Sequence, residues 1–202
     1  MPESLKKLIN IINFLPGIGE KSATKLAFFL LHSNKNYLEN FSQALNHLHG
    51  SIAKCEMCGS LIDAGKHICE ICASGDRQTN IICVVEEYLD MVTIENSKIF
   101  NGRYHILGGA ISPINGVFIG DLNFENLFKR ISDFDGDLEL IMATNPNIEG
   151  EATVQYILGE LEKRGLKKFV KVTRLSRGLS SGYLEYADNI TLINSIKERK
   201  EI

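Results

Sequence analysis

The 202-residue sequence predicts an α/β protein in several parts: an N-terminal helix-hairpin-helix, a small four-cysteine module, and a parallel α/β domain with a C-terminal extension. Three observations predict it. Apolar residues recur at helical spacing on either side of a Pro-Gly-Ile-Gly turn, four of the five cysteines fall within 18 residues as two C-x-x-C pairs, and from Ile81 onward β-rich apolar runs alternate with helical stretches. With 44% hydrophobic and 23% charged residues, the composition is that of a folded globular chain and excludes collagen-like, disordered and disulfide-stapled classes. No run reaches the roughly 18 to 20 consecutive apolar residues of a membrane span. Met1-Pro2-Glu3-Ser4 lacks the basic start and apolar stretch of a signal peptide, so a cytoplasmic location without a membrane partner is expected.

The first helix is read from Leu5, Leu8, Ile9 and Ile12, and the second from Ala23, Leu26, Ala27, Leu30 and Leu31. Between them lies Leu15-Pro16-Gly17-Ile18-Gly19. Pro16 ends the first helix, the two glycines allow positive φ, and Ile18 is expected to tuck inward as a plug. Backbone N–H groups of Gly17 to Gly19, free of secondary structure and set before a helix N-terminus, suit a phosphate group and read no base. Lys21 and Lys25, one helical turn apart, add direct charge. Gly17, Gly19, Lys21 and Lys25 are therefore the candidate DNA-binding residues; the competing interpretation is a solvated lysine face on an ordinary turn. Gly19-Glu20-Lys21-Ser22 superficially matches the end of a P-loop, but it follows a helix and lacks the upstream glycine and the Gly-Lys-Ser/Thr order, so it predicts no nucleotide hydrolysis. A third helix is expected from about Tyr37 to Ala53, with Leu38, Phe41, Leu45 and Leu48 on one side.

Cys55-x-x-Cys58 and Cys69-x-x-Cys72 form a unit to which Cys83 does not belong. In a reducing compartment such a pairing signals metal before disulfides, and four thiolates converging tetrahedrally suit one structural zinc ion with no open position for water. A redox pair or an iron–sulfur cluster is the alternative. Gly59, Gly65 and the polar stretch Asp63 to His67 fit a knuckle and loop that cannot hold a core without the metal. His67 is an exposed loop histidine, since four sulfurs fill the shell, and Cys83 is a small buried apolar residue within Ile81-Ile82-Cys83-Val84-Val85.

Strands are expected at Ile81 to Glu86, Tyr104 to Leu107, Leu138 to Ala143 and Phe169 to Leu175. Helices are expected at Tyr88 to Asn96, Asn123 to Ile131 and Glu149 to Arg164, the last closed by Gly165. Such alternation implies parallel pairing and a sheet covered on both faces. Lys197 to Ile202 is expected to be a charged, frayed end. Glu86 closes the first strand, and Glu149 and Glu151 open a later helix near the same sheet edge. Three carboxylates there could hold magnesium, although Glu149 and Glu151 also simply favour a helix N-terminus. Asp133-Phe134-Asp135-Gly136-Asp137 looks calcium-like, yet no Glu follows at the required distance and a solvated turn is expected.

The net charge of −3 hides a split: residues 1–54 carry six Lys against three Glu, whereas residues 55–80 sum to −2 and residues 81–202 to −4. A basic end is joined to an acidic body.

The order of these elements resembles the bacterial RecR recombination mediators. The hairpin Leu15-Pro16-Gly17-Ile18-Gly19 with Lys21-Ser22-Ala23, the four cysteines and Ile82-Cys83-Val84-Val85-Glu86 carry the likeness. So do Tyr104 to Pro113, Ala143-Thr144-Asn145-Pro146, Glu149-Gly150-Glu151-Ala152-Thr153 and Thr173-Arg174-Leu175-Ser176-Arg177-Gly178-Leu179. The resemblance implies a helix-hairpin-helix region over residues 1–54, a zinc module over 55–80, a Toprim-like domain over 81–175 and an assembly segment over 176–202. In catalytic Toprim proteins a Glu ending the first strand acts with a later Asp-x-Asp pair on magnesium. Here Glu86 is present, but Asn145-Pro146-Asn147 replaces the aspartates, which implies a binding protein rather than an enzyme; a magnesium-dependent Toprim enzyme using Glu86, Glu149 and Glu151 is the alternative. The resemblance further implies a DNA-repair factor acting with RecO, and in some bacteria RecF, to load RecA on single-stranded DNA. It implies a dimer or tetrameric ring of subunits whose hairpins face DNA and whose acidic surface, including Glu86, Asp90, Glu149 and Glu151, faces a basic partner such as RecO.

Overall fold

Helices α1 (Glu3–Asn13) and α2 (Glu20–His32) pack against each other through Ile9, Ile12, Ala23 and Ala27, all buried, with Leu5, Leu8, Ile18 and Leu30 around them. Ala23 and Ala27 are fully buried: at i, i+4 they form a methyl-sized groove that lets the two helices approach closely. Leu26 and Leu31, expected within the same stripe, instead stand exposed at 41% and 58%. Helix α3 (Lys35–His47) is capped by Asn34, whose Oδ1 accepts the Tyr37 N–H at 2.8 Å, and it buries none of its own residues. These helices form the first of two units, Met1–Ser51 and Ile52–Ile202, of the computed structural model, which describes residues 1–176 and 189–202.

The third helix stops well short of Ala53. Ile52–Lys54 is a strand, β1, pairing antiparallel with β2 (Leu61–Asp63), because the chain must turn there to present the first cysteine pair. Helix α4 (Glu70–Ala73) follows the hairpin and carries the second pair.

The second unit is built on a five-stranded sheet of order β4-β3-β5-β6-β7. Strands β3 (Ile81–Val85), β4 (Arg103–Ile106), β5 (Leu138–Ala143) and β6 (Val170–Arg174) run parallel, joined by α5 (Tyr88–Asn96), α6 (Phe124–Ser132) and α7 (Ile148–Lys163). Side chains alternate between two cores, as the period of two requires. Ile82, Val84, Leu140 and Met142 meet α6 and α7 through Leu127, Phe128, Val154 and Ile157. Cys83, Val85, Ile141 and Ala143 face Met91, Ile94, Leu192 and Ile196, together with all four cysteines of the C-x-x-C pairs. Each such aliphatic side chain contributes about 1.5 to 3 kcal/mol of burial. Cys83 is buried as expected, and burial pushes its thiol pKa up.

The chain end is not frayed. Helix α8 (Asn189–Lys197) packs Leu192 and Ile196 into the core, and β7 (Lys200–Glu201) adds an antiparallel edge to β6. Arg199 clamps it through a two-pronged contact with Glu139 at 2.6 and 2.9 Å. Of the motif Thr173 to Leu179 and the expected assembly segment 176–202, residues 177–188 lie outside the described residues. Among the described residues no helix is long and apolar enough to cross a membrane.

Candidate metal centre and nucleic-acid interface

The β1–β2 hairpin and α4 bring Cys55, Cys58, Cys69 and Cys72 together so that all four sulfurs lie within 4.8 Å of one another, each residue buried. The first pair is shaped by a tight turn: Cys55 N–H donates to the Ser60 carbonyl at 2.7 Å and Gly59 N–H to the Cys55 carbonyl at 2.9 Å. Glycine is required at position 59. Its φ is +79°, and a Cβ would stand 2.8 Å from both the Ile106 carbonyl oxygen and Asn123 Nδ2. The second pair uses a helix start, with Cys69 as N-cap accepting the Cys72 N–H at 3.4 Å. Ser60 N–H donates to Cys58 Sγ at 3.4 Å and Cys69 N–H to Cys55 Sγ at 3.3 Å.

Hydrogen bonding from Cys58 and Cys72 holds the Cys69 thiol low, and the same bond to Cys69 pushes Cys58 far up. Four thiols this close share a single negative charge readily and four only with a cation among them, so the donor set fits a soft divalent metal. His67 lies outside the set, exposed and with Nδ1 2.7 Å from Glu56 Oε1. Among the described residues the four cysteines alone form a convergent group of three or more potential ligands.

At the hairpin, Gly17 adopts φ +78° as expected, whereas Gly19 is extended at φ −87°, ψ 169° and serves as the N-cap of α2. The Ile18 N–H is not free, for it donates to the Leu15 carbonyl at 3.1 Å; the Ile18 side chain packs against the small core as expected. Helix α2 starts without a side-chain cap, its ladder opening with Ala23 N–H to Gly19 O at 2.9 Å. The first-turn amides therefore keep their capacity for an anion. Lys21, in that first turn, and Lys25, one turn further on, are exposed, and neither enters an ion pair among the described residues.

The sheet edge departs from expectation. Glu86 and Asp90, which the resemblance placed on a partner-facing surface, are only 6% and 4% exposed. Glu86 Oε1 accepts the Asn145 backbone N–H at 2.9 Å and Oε2 accepts Asn145 Nδ2 at 2.5 Å. Burial nevertheless raises the Glu86 pKa, the Asn145 bonds opposing it. Asp90 Oδ2 accepts the Glu87 N–H at 2.8 Å. Glu149 is half-buried; Glu151 binds Arg174 Nη1 at 2.5 Å. Glu86, Glu149 and Glu151 do not converge into a ligand cluster, so the magnesium trio of the alternative reading is not assembled. The physical reason is Asn145: its amide donates to Glu86, supplying the positive end that a cation would supply and that an aspartate could not. Gly150 makes the close approach possible, since a Cβ there would lie 2.0 Å from the Asn145 carbonyl oxygen. The Asp133–Asp137 stretch is a turn outside any such cluster.

Sequence reasoning passed over His105 except as part of a motif. It is fully buried with Nε2 2.7 Å from the Asn123 carbonyl, and burial drives its pKa down to about 4, so at neutral pH it is an uncharged donor.

A helical hairpin with an uncapped, lysine-flanked turn, an all-sulfur metal cluster and a parallel sheet with an acidic edge define a protein that couples a helix-hairpin-helix to a Toprim domain. Comparison with family models agrees: residues 80–176 match the Toprim domain and residues 5–49 match the helix-hairpin-helix of RecR. Together with the four-cysteine cluster, these matches support a RecR-type protein with a role in recombination repair.

Proposed function

We propose that this chain is a non-enzymatic mediator that binds DNA through the α1–α2 hairpin, holds one structural zinc in its four cysteines, and acts with RecO, and with RecF where present, to promote loading of RecA on single-stranded DNA. The observation that carries the DNA-binding part is the hairpin: Lys21 and Lys25, in no ion pair among the described residues, stand beside an uncapped helix start reached through Gly17 and Gly19. Contacts of this kind grip phosphate and ignore base identity, as suits a mediator that works on any sequence. The family resemblance, not the geometry, supplies RecO, RecF and RecA.

Assembly is supported by surface chemistry. In a unit of 51 residues, Phe14, Leu15, Phe29, Leu31 and Leu45 are 92%, 53%, 58%, 58% and 55% exposed, and α3 buries no residue. That much apolar surface favours a second copy of the chain, in keeping with the dimer or tetrameric ring the family implies. Partner binding at the sheet edge falls to the more accessible Glu149 and Glu151, with Glu86 and Asp90 holding the edge in shape from within. The locked Asn145–Glu86 pair favours binding over magnesium chemistry.

The test is Lys21→Ala with Lys25→Ala. Affinity for single-stranded and duplex DNA should fall and the slope of log affinity against log salt should flatten by about one to two units, with zinc content and circular dichroism unchanged. Unchanged DNA affinity would remove the hairpin from the mechanism, and magnesium-dependent turnover lost in Glu86→Gln would establish an enzyme instead.

A further inference from the structure

Helix α6 carries a cation that neither the hairpin nor the acidic edge uses. Arg130 donates from Nη1 to the Tyr104 carbonyl oxygen at 2.7 Å, while its Nη2 is buried and meets no acceptor among the described residues. Leaving a buried guanidinium N–H unmatched costs roughly 1 to 3 kcal/mol, so its position calls for an anion. Arg103 sharpens the point. It lines the same cavity of about 390 Å³ and its charge opposes that of Arg130, an arrangement favourable only beside negative charge.

Glu56 and Asp133 line that cavity as carboxylates, and the cysteine cluster adjoins it. Strand β4, which holds the Arg130 anchor, also holds the cluster: α4 packs on β4, Ile106 N–H donates to the Cys58 carbonyl at 2.8 Å, and Tyr104 shares one core with all four cysteines. Arg130 lines its cavity together with Glu56, Met57 and Ile68, the chain neighbours of Cys55, Cys58 and Cys69. Burial lowers the Arg130 pKa, while Cys72, Cys58 and Cys55 push it back up, Cys72 most strongly.

Four thiolates around a divalent ion carry a formal charge of about −2, and ligands this deeply buried need donors and a cation to offset it. Backbone N–H groups serve Cys55, Cys58 and Cys69. We propose that Arg130 is the counter-charge of the four-cysteine metal centre, held by the Tyr104 carbonyl so that its guanidinium offsets the thiolates. It is a positioning residue, and its role rests on the reading of the cluster as a metal site.

The full-length protein is compared with Arg130→Gln, which keeps an amide donor for Tyr104 but loses the charge, and with Arg130→Lys, which keeps the charge. Zinc per chain is measured by mass spectrometry of the metal, and zinc affinity and release by competition with a chromophoric chelator. Arg130→Gln should bind zinc at least tenfold more weakly and release it correspondingly faster, with Arg130→Lys within about threefold of wild type. Equal affinity in wild type and Arg130→Gln would overturn the proposal. So would an Arg130→Lys as defective as Arg130→Gln, which would show that the charge is not what the site needs. If Arg130→Gln does not fold, near-wild-type affinity in Arg130→Lys sustains the charge role and a tenfold loss overturns it. A wild-type protein that folds and binds no zinc would refute the metal reading itself, an outcome distinct from the others.

Discussion

Replacing Asn145 by Asp restores the acidic residue that catalytic Toprim proteins carry at this position, and the geometry makes the consequence calculable. Asn145 Nδ2 now donates to Glu86 Oε2 at 2.5 Å, with Glu86 only 6% exposed. In Asn145→Asp a second carboxylate takes the place of the donor. At about 3 Å and an effective dielectric of about 20, two such charges repel by about 5 to 6 kcal/mol. The pair escapes by sharing a proton, which at pH 7 costs about 4 kcal/mol for a carboxyl of ordinary pKa near 4, and the shared proton restores one hydrogen bond. The expected loss is therefore about 3 to 4 kcal/mol at pH 7. Lowering the pH supplies the proton: at pH 5 the cost of sharing falls to about 1.4 kcal/mol, and the deficit should shrink by roughly half or more. Urea unfolding followed by circular dichroism, variant against wild type at each pH, reads both numbers and cancels any effect of acid on the metal site. A variant as stable as wild type at pH 7, or one whose deficit is the same at pH 5, would refute the amide-for-cation argument.

Two further outcomes follow from geometry. His105 has a folded pKa of about 4 against an ordinary value near 6.5, so stability is full above about pH 6.5, where both states are neutral; below it the unfolded chain takes up a proton that the folded one refuses, and up to about 3 kcal/mol is lost by pH 4. Urea titrations across that window should show the decline and His105→Gln should flatten it; an unchanged pH profile in His105→Gln would show that His105 is not its source. Gly59→Ala places a methyl group 2.8 Å from the Ile106 carbonyl at φ +79°, and should destabilise by about 2 to 3 kcal/mol with weakened zinc retention. Gly65→Ala, at φ +91° in open space, should lose only about 1 kcal/mol, so equal thermal shifts in the two variants would contradict the close-contact account.

Much of this protein was legible from local patterns. The spacing of Leu5, Leu8, Ile9 and Ile12 and of Ala23 and Ala27 named the helical pair, since the helical period acts within one element and needs no partner to be read. The two C-x-x-C pairs named the convergent sulfur cluster for the same reason, each turn able to offer two sulfurs to one ion. The alternation from Ile81 onward named the sheet and both its faces. Where the reading failed, the deciding contact was distant in sequence. Ile52–Lys54 continued a helical pattern but was claimed by Leu61–Asp63, and the charged tail became an edge strand because β6 offered it a free flank and Glu139 a partner for Arg199, 60 residues away.

The sequence alone determined that the chain has a lysine-flanked hairpin, a four-sulfur cluster able to hold a metal and an acidic α/β half with neutral amides where aspartates would hold magnesium, because residue type and short-range spacing decide those features. Only the tertiary structure decided what the charges do. It buried Glu86 against Asn145, 59 residues away, left it outside any cluster with Glu149 and Glu151, and set Arg130 of α6 against the Tyr104 carbonyl. Whether a carboxylate is a surface handle, a metal ligand or an internal brace depends on the solvent and donors around it, and those are supplied by residues far along the chain.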